Sequence, residues 1–85
     1  MSYKVFLTRT AEKQLKRLPA EAQRKIAAVV VSLEIDPRPY GSIKLSGQDY
    51  SYRIRVGDYR IIYDIIDKEV TVTVLKIGHR KDIYN

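Results

Sequence analysis

Three arginines stand at alternating positions around a short turn, and their spacing suits the binding of an anion. Residues 50–63 alternate in character on both sides of Gly57-Asp58, which predicts two antiparallel strands joined by a tight turn of two residues. Because side chains alternate across a strand, one face of this hairpin carries Arg53, Arg55 and Arg60. Like charges that face each other destabilise a sheet, so we expect these guanidinium groups to bind a negatively charged partner.

The opposite face of the hairpin is apolar. A two-residue turn pairs Val56 with Tyr59, Arg55 with Arg60, Ile54 with Ile61 and Tyr52 with Tyr63. We interpret Tyr52, Tyr59 and Tyr63 as aromatics of the core or its rim, with stacking on a bound base as the alternative. An apolar sheet face of this kind needs a second layer to cover it.

The first half of the chain predicts a strand followed by two helices. Residues 3–8 contain β-branched and aromatic side chains that favour a strand. Apolar residues then recur at helical spacing from position 11 to 18, with Thr8 or Thr10 as the helix cap. Pro19 ends this helix and can begin the next one, which we predict over residues 20–35. Residues 37–48 lack periodicity and predict an irregular connection.

Residues 70–77 predict the last strand, after a turn at Asp67-Lys68. A two-residue turn there pairs Ile65 with Val70, Tyr63 with Val72 and Ile61 with Val74, so the apolar face continues onto this strand. We therefore predict an α+β fold with an N-terminal strand, a helical hairpin and an antiparallel three-strand meander. These elements give about a four-stranded antiparallel sheet covered on one face by two helices, in a single domain over residues 1–85.

The C-terminal tail adds further groups to the open face of this sheet. We expect Gly78 to break the last strand and to turn the chain toward the arginines, where His79, Arg80 and Tyr84 would join them. Lys44 precedes the arginine-bearing strand and is within reach of the same anion.

Each of these assignments has a structural alternative. The arginines can form a solvated face with ion pairs to aspartates, and Lys44 can be an ordinary surface lysine. His79 can pack against, or cap, the end of the last strand. The aspartates in question are Asp58, Asp64 and Asp82.

Composition restricts the classes of partner and site. Sixteen basic against ten acidic residues give a formal net charge of +6, which favours nucleic acid or another polyanion. The chain has no cysteine and one histidine, so disulfides, thiolate metal sites and a resident metal or cofactor are not expected. No apolar signal segment follows the N-terminus, and the longest aliphatic run, residues 26–31, is too short to span a bilayer. We predict a cytoplasmic protein with no membrane partner.

Guanidinium groups, an imidazole and aromatic rings together suit single-stranded RNA. Guanidinium groups bind phosphate oxygens bidentately, and aromatic rings stack on unpaired bases. The 2′-hydroxyl of RNA can attack the adjacent phosphate when the backbone is bent into line. An enzyme for this reaction needs positive charge on the pentavalent phosphate and groups that accept and deliver a proton.

Five segments, in this order, resemble the RelE/ParE toxin superfamily over essentially the whole chain. They are Leu18-Pro19, Lys44-Leu-Ser-Gly47, Tyr52-Arg-Ile-Arg55, Tyr59-Arg-Ile-Ile-Tyr63 and Ile77-Gly-His-Arg-Lys-Asp-Ile-Tyr84. The resemblance implies the toxin of a type II toxin–antitoxin system, with two helices packed on an antiparallel sheet. It also implies a RelB-like antitoxin encoded nearby, and operator DNA reached through the complex of the two proteins.

The RelE branch of this superfamily cleaves mRNA in the ribosomal A site. Its resemblance to this chain implies a ribosome-dependent endoribonuclease whose partners are the ribosome and mRNA. We add His79 to the implied catalytic residues as a proton carrier, because histidine titrates near neutral pH. The full set is then Arg53, Arg55, Arg60, His79, Arg80 and Tyr84. The RNA-binding residues that we predict are these arginines together with two lysines of our own assignment, namely Lys44, Arg53, Arg55, Arg60, Arg80 and Lys81.

Two departures from the RelE pattern affect this hypothesis. Arg53 and Arg55 occupy positions that are often lysine, and arginine is a poor proton donor or acceptor because its pKa exceeds ~12. We therefore expect them to bind phosphate and to stabilise charge. The chain also ends one residue after Tyr84. The alternatives are a ParE-like inhibitor that binds DNA gyrase without cutting RNA, and a module that binds only antitoxin and operator DNA.

Overall fold

The computed structural model describes residues 2–83, in which two helices cover one face of a five-stranded sheet. The spatial order of the strands is β1-β5-β4-β3-β2. Along the chain the elements are β1 (Lys4–Leu7), α1 (Arg9–Lys16), α2 (Ala20–Ser32), β2 (Ile43–Lys44), β3 (Ser51–Val56), β4 (Tyr59–Ile66), a 3₁₀ turn (Asp67–Glu69) and β5 (Thr71–His79).

The predicted α+β class is confirmed, but the sheet differs from the predicted one in two ways. It has a fifth strand, β2, because Ile43 and Lys44 pair with the outer edge of β3. In addition, β1 runs parallel to β5 instead of antiparallel to a neighbour. Alternation along a strand indicates which of its faces is buried, but it carries no information about the direction of the neighbouring strand. A strand of two residues also has no periodicity to detect.

The β3–β4 hairpin has the predicted register. Val56 pairs with Tyr59, Arg55 with Arg60, and Ile54 with Ile61. Gly57 has a φ of 60°, the left-handed conformation that a tight hairpin turn needs at its first central position and that glycine adopts without strain. The turn therefore fixes the register, and the register places the arginines.

The pairing of β4 with β5 differs from the predicted pairing. The turn is longer than two residues, because Asp67–Glu69 form a 3₁₀ turn and Val70 adopts a left-handed φ of 51°. As a result Ile65 pairs with Val72 and Tyr63 with Val74, two positions beyond the predicted partners. A shift of two residues leaves every side chain on its expected face. The composition of the apolar face is thus as predicted up to Val74.

A β-bulge then changes the alternation along β5. Tyr63 pairs with Val74 whereas Ile62 pairs with Lys76, so Leu75 is an extra residue on this strand. Two side chains bind the backbone on either side of the bulge. The Thr8 hydroxyl donates to the carbonyl oxygen of Leu75 at 3.0 Å, and the N–H of Ile77 donates to Oε1 of Gln14 at 2.8 Å.

The core lies between the helices and the apolar face of the sheet. From α2, Ile26 is fully buried and Val30 is buried, and Leu33 at its C-cap is fully buried as well. From α1, Ala11 is fully buried and Leu15 packs against the same core. The sheet contributes Ile54, Ile61, Tyr63, Ile65, Val72, Val74 and Ile77.

The observed helix boundaries follow the capping residues more closely than they follow the extent of the apolar periodicity. Thr8 caps α1, as predicted, because its hydroxyl accepts from the N–H of Ala11 at 3.1 Å. Pro19 is the N-cap of α2 instead of its first helical residue. The second helix ends at Ser32, not at Ile35, because the N–H groups of Glu34 and Ile35 donate to the carbonyls three residues earlier.

An ion pair between Arg38 and Asp67 links distant parts of the chain at the end of the sheet opposite the Gly57 turn. The Arg38 guanidinium donates to both carboxylate oxygens of Asp67, at 2.8 and 3.3 Å, and to the Tyr52 hydroxyl at 3.1 Å. The Tyr3 hydroxyl also donates to Asp67, at 2.7 Å. Hydrogen bonds from Arg38 and then from Tyr3 hold the pKa of the Asp67 carboxyl below its ordinary value.

The tail folds back over the sheet face that carries Arg53, Arg55 and Arg60, here called the arginine face. Gly78 does not break β5, which continues to His79. The turn begins at Arg80, and Ile83 is buried with 3% of its surface exposed. Its Cδ1 lies 3.3 Å from the point that a Cβ on Gly78 would occupy. Glycine at position 78 therefore leaves the space into which Ile83 packs.

Tyr84 lies outside the described residues. Within residues 2–83, no helix has the length and apolar character needed to cross a membrane.

Replacing Asp67 with Asn should lower the Tm at neutral pH by a small, measurable amount, because the Arg38 ion pair is lost. A lowered folded pKa gives stability that is fully present above the unfolded value of 3.8 and is lost as the pH falls through the folded pKa. The difference in Tm from the unaltered protein should therefore disappear in acid. Glu69→Gln, in the same turn, is the control, and a difference that persists below the folded pKa would contradict this account.

Replacing Ile83 with Ala should release the tail from the arginine face. We expect the free energy of unfolding to fall by about 2 kcal/mol, the low end of the range for removing a buried isoleucine side chain. Amide exchange should quicken at Asp82 and Ile83, whose N–H groups donate to the His79 carbonyl at 2.8 and 3.0 Å. Ile35→Ala, at a side chain that is 75% exposed, is the control. Unchanged exchange at Asp82 would show that Ile83 does not anchor the tail.

Candidate functional site

The register of β3 and β4 assembles the arginine face. Arg55 pairs directly with Arg60, and Arg53 pairs with Ile62, so all three guanidinium groups project from the side that the helices leave uncovered. Arg55 is exposed, whereas Arg53 and Arg60 are half-buried. The placement of the three arginines on one face is as the sequence predicted.

The side chain of Arg60 lies back against its own turn. Its Nη1 donates to the carbonyl oxygens of Tyr59 and Gly57, at 3.0 and 3.3 Å. These contacts hold one nitrogen of the guanidinium group, and the group has further N–H donors for a ligand. The Nε atom of Arg53 is buried against the face. Part of each guanidinium group is thus held against the protein, by hydrogen bonds in Arg60 and by burial in Arg53.

An apolar floor lies among these cations. Ile62 and Ile83 are buried, at 8% and 3% exposure, yet neither belongs to the core under the helices. Ile62 sits beside Arg53 in the register, and Ile83 packs over Gly78, which is paired with Arg60. A charge next to apolar surface is screened less by water, so an anion bound here interacts more strongly with the arginines.

In the described part of the chain, no carboxylate forms an ion pair with Arg55 or Arg60. Within residues 2–83 the ion pairs join Lys16 to Glu12, Lys25 to Glu21 and Arg38 to Asp67, and they include neither of these two arginines. Asp64 lies on the same face, but its carboxylate accepts from the Ser51 hydroxyl at 2.5 Å. The structural alternative, in which the arginines form ion pairs with aspartates, is therefore not observed for Arg55 or Arg60 within residues 2–83.

The tail brings Arg80 to the end of the hairpin. The backbone N–H of Arg80 donates to the carbonyl oxygen of Asp58 at 2.8 Å, which ties the tail to the β3–β4 turn. The side chains of Arg80 and Lys81 are exposed. Arg80 is thus close in the fold to the turn that Arg60 also contacts.

His79 lies on the helix side of the sheet, so the prediction that it joins the arginine face is wrong. It pairs with Tyr59, and their rings meet edge to face with centroids 5.7 Å apart. Its Nδ1 accepts from the N–H of Lys81 at 3.1 Å, so a neutral ring carries its proton on Nε2. Because β5 continues through Gly78, the next side chain alternates away from the arginines. This geometry matches the structural alternative for His79, in which the histidine packs against and caps the end of the last strand.

Lys44 is also directed away from the arginine face. It pairs with Tyr52 of the core side, whereas its neighbour Ile43 pairs with Arg53. The prediction that Lys44 reaches the same anion is therefore not supported by its orientation. Because β2 has only two residues and no periodicity, the face of Lys44 could not be assigned from the sequence.

Sequence reasoning missed a cation on the arginine face. Lys76 pairs with Ile62, on the side of Arg53, because the bulge at Leu75 reverses the alternation. The available signal was the break in pattern after the alternating residues 70–74, where Leu75, Lys76 and Ile77 no longer fit a period of two. Its meaning was not readable without the partner strand.

The tyrosines of the hairpin serve the core, as the preferred interpretation had it. Tyr63 is fully buried and stacks on Tyr52 with ring centroids 6.1 Å apart. Burial raises the pKa of Tyr63 to about 12, and its hydroxyl donates to the Pro37 carbonyl at 2.8 Å. Tyr63 is therefore not available to stack on a base, and Tyr52 and Tyr59 pack half-buried against the same core.

The groups on this face suit binding and charge stabilisation of a polyanion. Within residues 2–83, no group of three or more His, Asp and Glu side chains is arranged to hold a metal ion. Guanidinium groups ordered over an apolar floor can bind phosphate oxygens and stabilise additional negative charge on them.

Comparison with known proteins identifies relatives of matching length. Toxin RelG of Mycobacterium tuberculosis is 36% identical over 88 residues, which cover 99% of this chain and 98% of that protein. The mRNA interferase toxin RelE of Escherichia coli K12 is 28% identical over 83 residues, which cover 95% of this chain and 86% of that protein.

Solved structures show the same fold. RelE in the archaeal RelE–RelB complex from Pyrococcus horikoshii OT3 superposes with a TM-score of 0.84 and 33% identity, over 96% of this chain and 99% of that one. The isolated RelE toxin of E. coli gives a TM-score of 0.81 and 26% identity, over 92% of this chain and 84% of that one.

The family match and the individual relatives carry different branch names. Residues 5–84 match the family described as "ParE toxin of type II toxin-antitoxin system, parDE", whereas the two relatives above are named RelG and RelE. The family description and the names of the relatives agree on a toxin and differ on the branch. This chain belongs to the ParE toxin family of type II toxin–antitoxin systems.

Proposed function

We propose that this toxin is a RelE-like endoribonuclease that cleaves mRNA in the ribosomal A site and thereby inhibits translation. The observation that carries the proposal is the arginine face, where Arg53, Arg55 and Arg60 stand together on the uncovered side of the sheet. The RelE of E. coli, named as an mRNA interferase, supports the same branch at 28% identity.

The reaction we propose is attack of a 2′-oxygen on the adjacent phosphorus. The new P–O bond closes a 2′,3′-cyclic phosphate, the bond to the 5′-oxygen breaks, and the downstream product leaves as a 5′-hydroxyl. Arg53, Arg55 and Arg60 bind the phosphate and stabilise the charge of its pentavalent state. Arg80 neutralises the leaving side, and Tyr84 stacks on a base or holds the attacking hydroxyl.

We assign the proton transfers to groups other than the arginines. Arginine side chains remain protonated at neutral pH, and His79 faces Tyr59 on the helix side of the sheet. We therefore assign His79 to the strand end and leave it out of the catalytic set. The proton of the 2′-hydroxyl then passes to water, and water supplies the proton of the 5′-oxygen.

The proposed partners are a RelB-like antitoxin, the ribosome and mRNA. RelE has the fold of this chain in its complexes with RelB from P. horikoshii and from E. coli. This similarity supports an antitoxin partner. Operator DNA would be reached through the toxin–antitoxin complex. These assignments are consistent with the net charge of +6.

The second candidate is a ParE-like inhibitor of DNA gyrase, because the matching family is described by the ParE name. To separate the two, the toxin gene is expressed alone, the 5′ ends of cellular mRNA are mapped, and the purified protein is assayed for gyrase inhibition. We expect codon-phased cuts that require ribosomes, and supercoiling at the normal rate. Intact mRNA together with inhibited gyrase would refute the nuclease.

The site is tested by single substitutions of exposed arginines. Arg55→Ala and Arg80→Ala should each reduce mRNA cleavage by about 100-fold or more, the cost typical of losing one group that stabilises a charged transition state. Lys16→Ala and Lys25→Ala, on the outer surface of the helices, should leave cleavage unchanged. Co-purification with the antitoxin verifies the fold of every variant. Full cleavage by both arginine variants would show that the site lies elsewhere.

A further inference from the structure

The bulge in β5 decides which way Lys76 points. Val72 and Val74 face the core, and simple alternation would turn Lys76 toward the core as well. Leu75 is the extra residue, so Lys76 instead pairs with Ile62 on the arginine face and Ile77 is buried in the core at 1% exposure. The bulge thus exchanges the faces of a cation and an apolar side chain.

Two side chains from the N-terminal part of the chain hold this bulge in place. The Thr8 hydroxyl donates to the Leu75 carbonyl at 3.0 Å, and the Ile77 N–H donates to Gln14 Oε1 at 2.8 Å. Backbone groups displaced from the strand ladder therefore have hydrogen-bond partners. Bulges that redirect a side chain are frequent next to active sites, and this one is fixed by α1 and its cap.

Lys76 extends the arginine face across three strands. It lies beside Ile62, and Ile62 lies beside Arg53, so the two cations flank the apolar floor. Two strand spacings separate their Cα atoms by about 10 Å. Two residues along β5, Gly78 pairs with Arg60, and Ile83 packs over this glycine, so the apolar floor also lies between that arginine and Lys76.

The charge of Lys76 is not balanced by an ion pair in the described part of the chain. Its side chain is exposed, and it takes part in none of the ion pairs formed within residues 2–83. Asp64, the carboxylate on the β4 part of this face, accepts from Ser51. A lysine on the same face as three arginines, with no ion-pair partner among the described residues, adds to the positive charge of that face, and a second phosphate would offset this charge.

We propose that Lys76 is a phosphate-binding residue of this face and contacts a phosphate of the RNA next to the one held by the arginines. The inference rests on the proposed function, and it extends the path of the RNA from β3 across β4 to β5. Lysine contributes a flexible point charge, which suits a flanking phosphate better than the reacting one. Lys76 is thus a positioning residue, and it takes no part in the chemical step.

The test measures the affinity of the purified toxin for a fluorescent single-stranded RNA oligonucleotide at several salt concentrations. We expect Lys76→Ala to weaken binding about 3- to 10-fold and to reduce the slope of log K against log salt by about 0.7, the value for one lost contact to single-stranded RNA. Lys76→Arg should restore both quantities. Lys68→Ala, in the turn at the other end of β5, is the matched control and should change neither.

A parallel measurement with Arg55→Ala distinguishes failure of the Lys76 contact from failure of the proposed RNA-binding face. If Arg55→Ala weakens binding and Lys76→Ala does not, Lys76 is an ordinary surface lysine and the proposed function stands. If neither variant changes the affinity, or if the unaltered toxin binds no RNA at low salt, both the Lys76 contact and the RNA-binding face are refuted. In ribosome-dependent cleavage, Lys76→Ala should raise KM and leave kcat unchanged, whereas a lowered kcat at unchanged KM would overturn the positioning role.

Discussion

Burial of one face of the sheet under α1 and α2 is the constraint on which the site depends. Because Ile54, Ile61 and Ile77 must lie under the helices, the side chains between them are directed to the other face. Arg53, Arg55 and Arg60 therefore project from a rigid, hydrogen-bonded surface. The geometry of the arginine face follows from the position of the core, and no loop has to be ordered to form it.

The hairpin could be predicted from the sequence because its determinants are local. The Gly57-Asp58 turn sets the register, and the register sets the face of each arginine. Features that depend on distant partners could not be predicted in the same way. The parallel neighbour of β1, the two-residue β2 and the longer turn before β5 each need another part of the chain to define them.

The same distinction explains the errors within the candidate site. His79 and Lys44 were assigned to the arginine face from proximity in sequence, but strand pairing turns both to the helix side. Lys76 was missed because its orientation depends on a bulge that Thr8 and Gln14 stabilise from α1. The cations of this face are arginines and one lysine, and such groups are suited to binding phosphate and not to moving protons.

The central claim is that this face positions RNA for attack by its own 2′-hydroxyl. The most direct measurement places one mRNA in the A site of programmed ribosomes in two forms, which differ only by a 2′-deoxy substitution at the nucleotide before the cut. We expect the all-ribose mRNA to be cut, with a 2′,3′-cyclic phosphate and a 5′-hydroxyl at the new ends, and the deoxy form to stay intact. Cleavage of the deoxy form, or survival of both forms, would contradict the account.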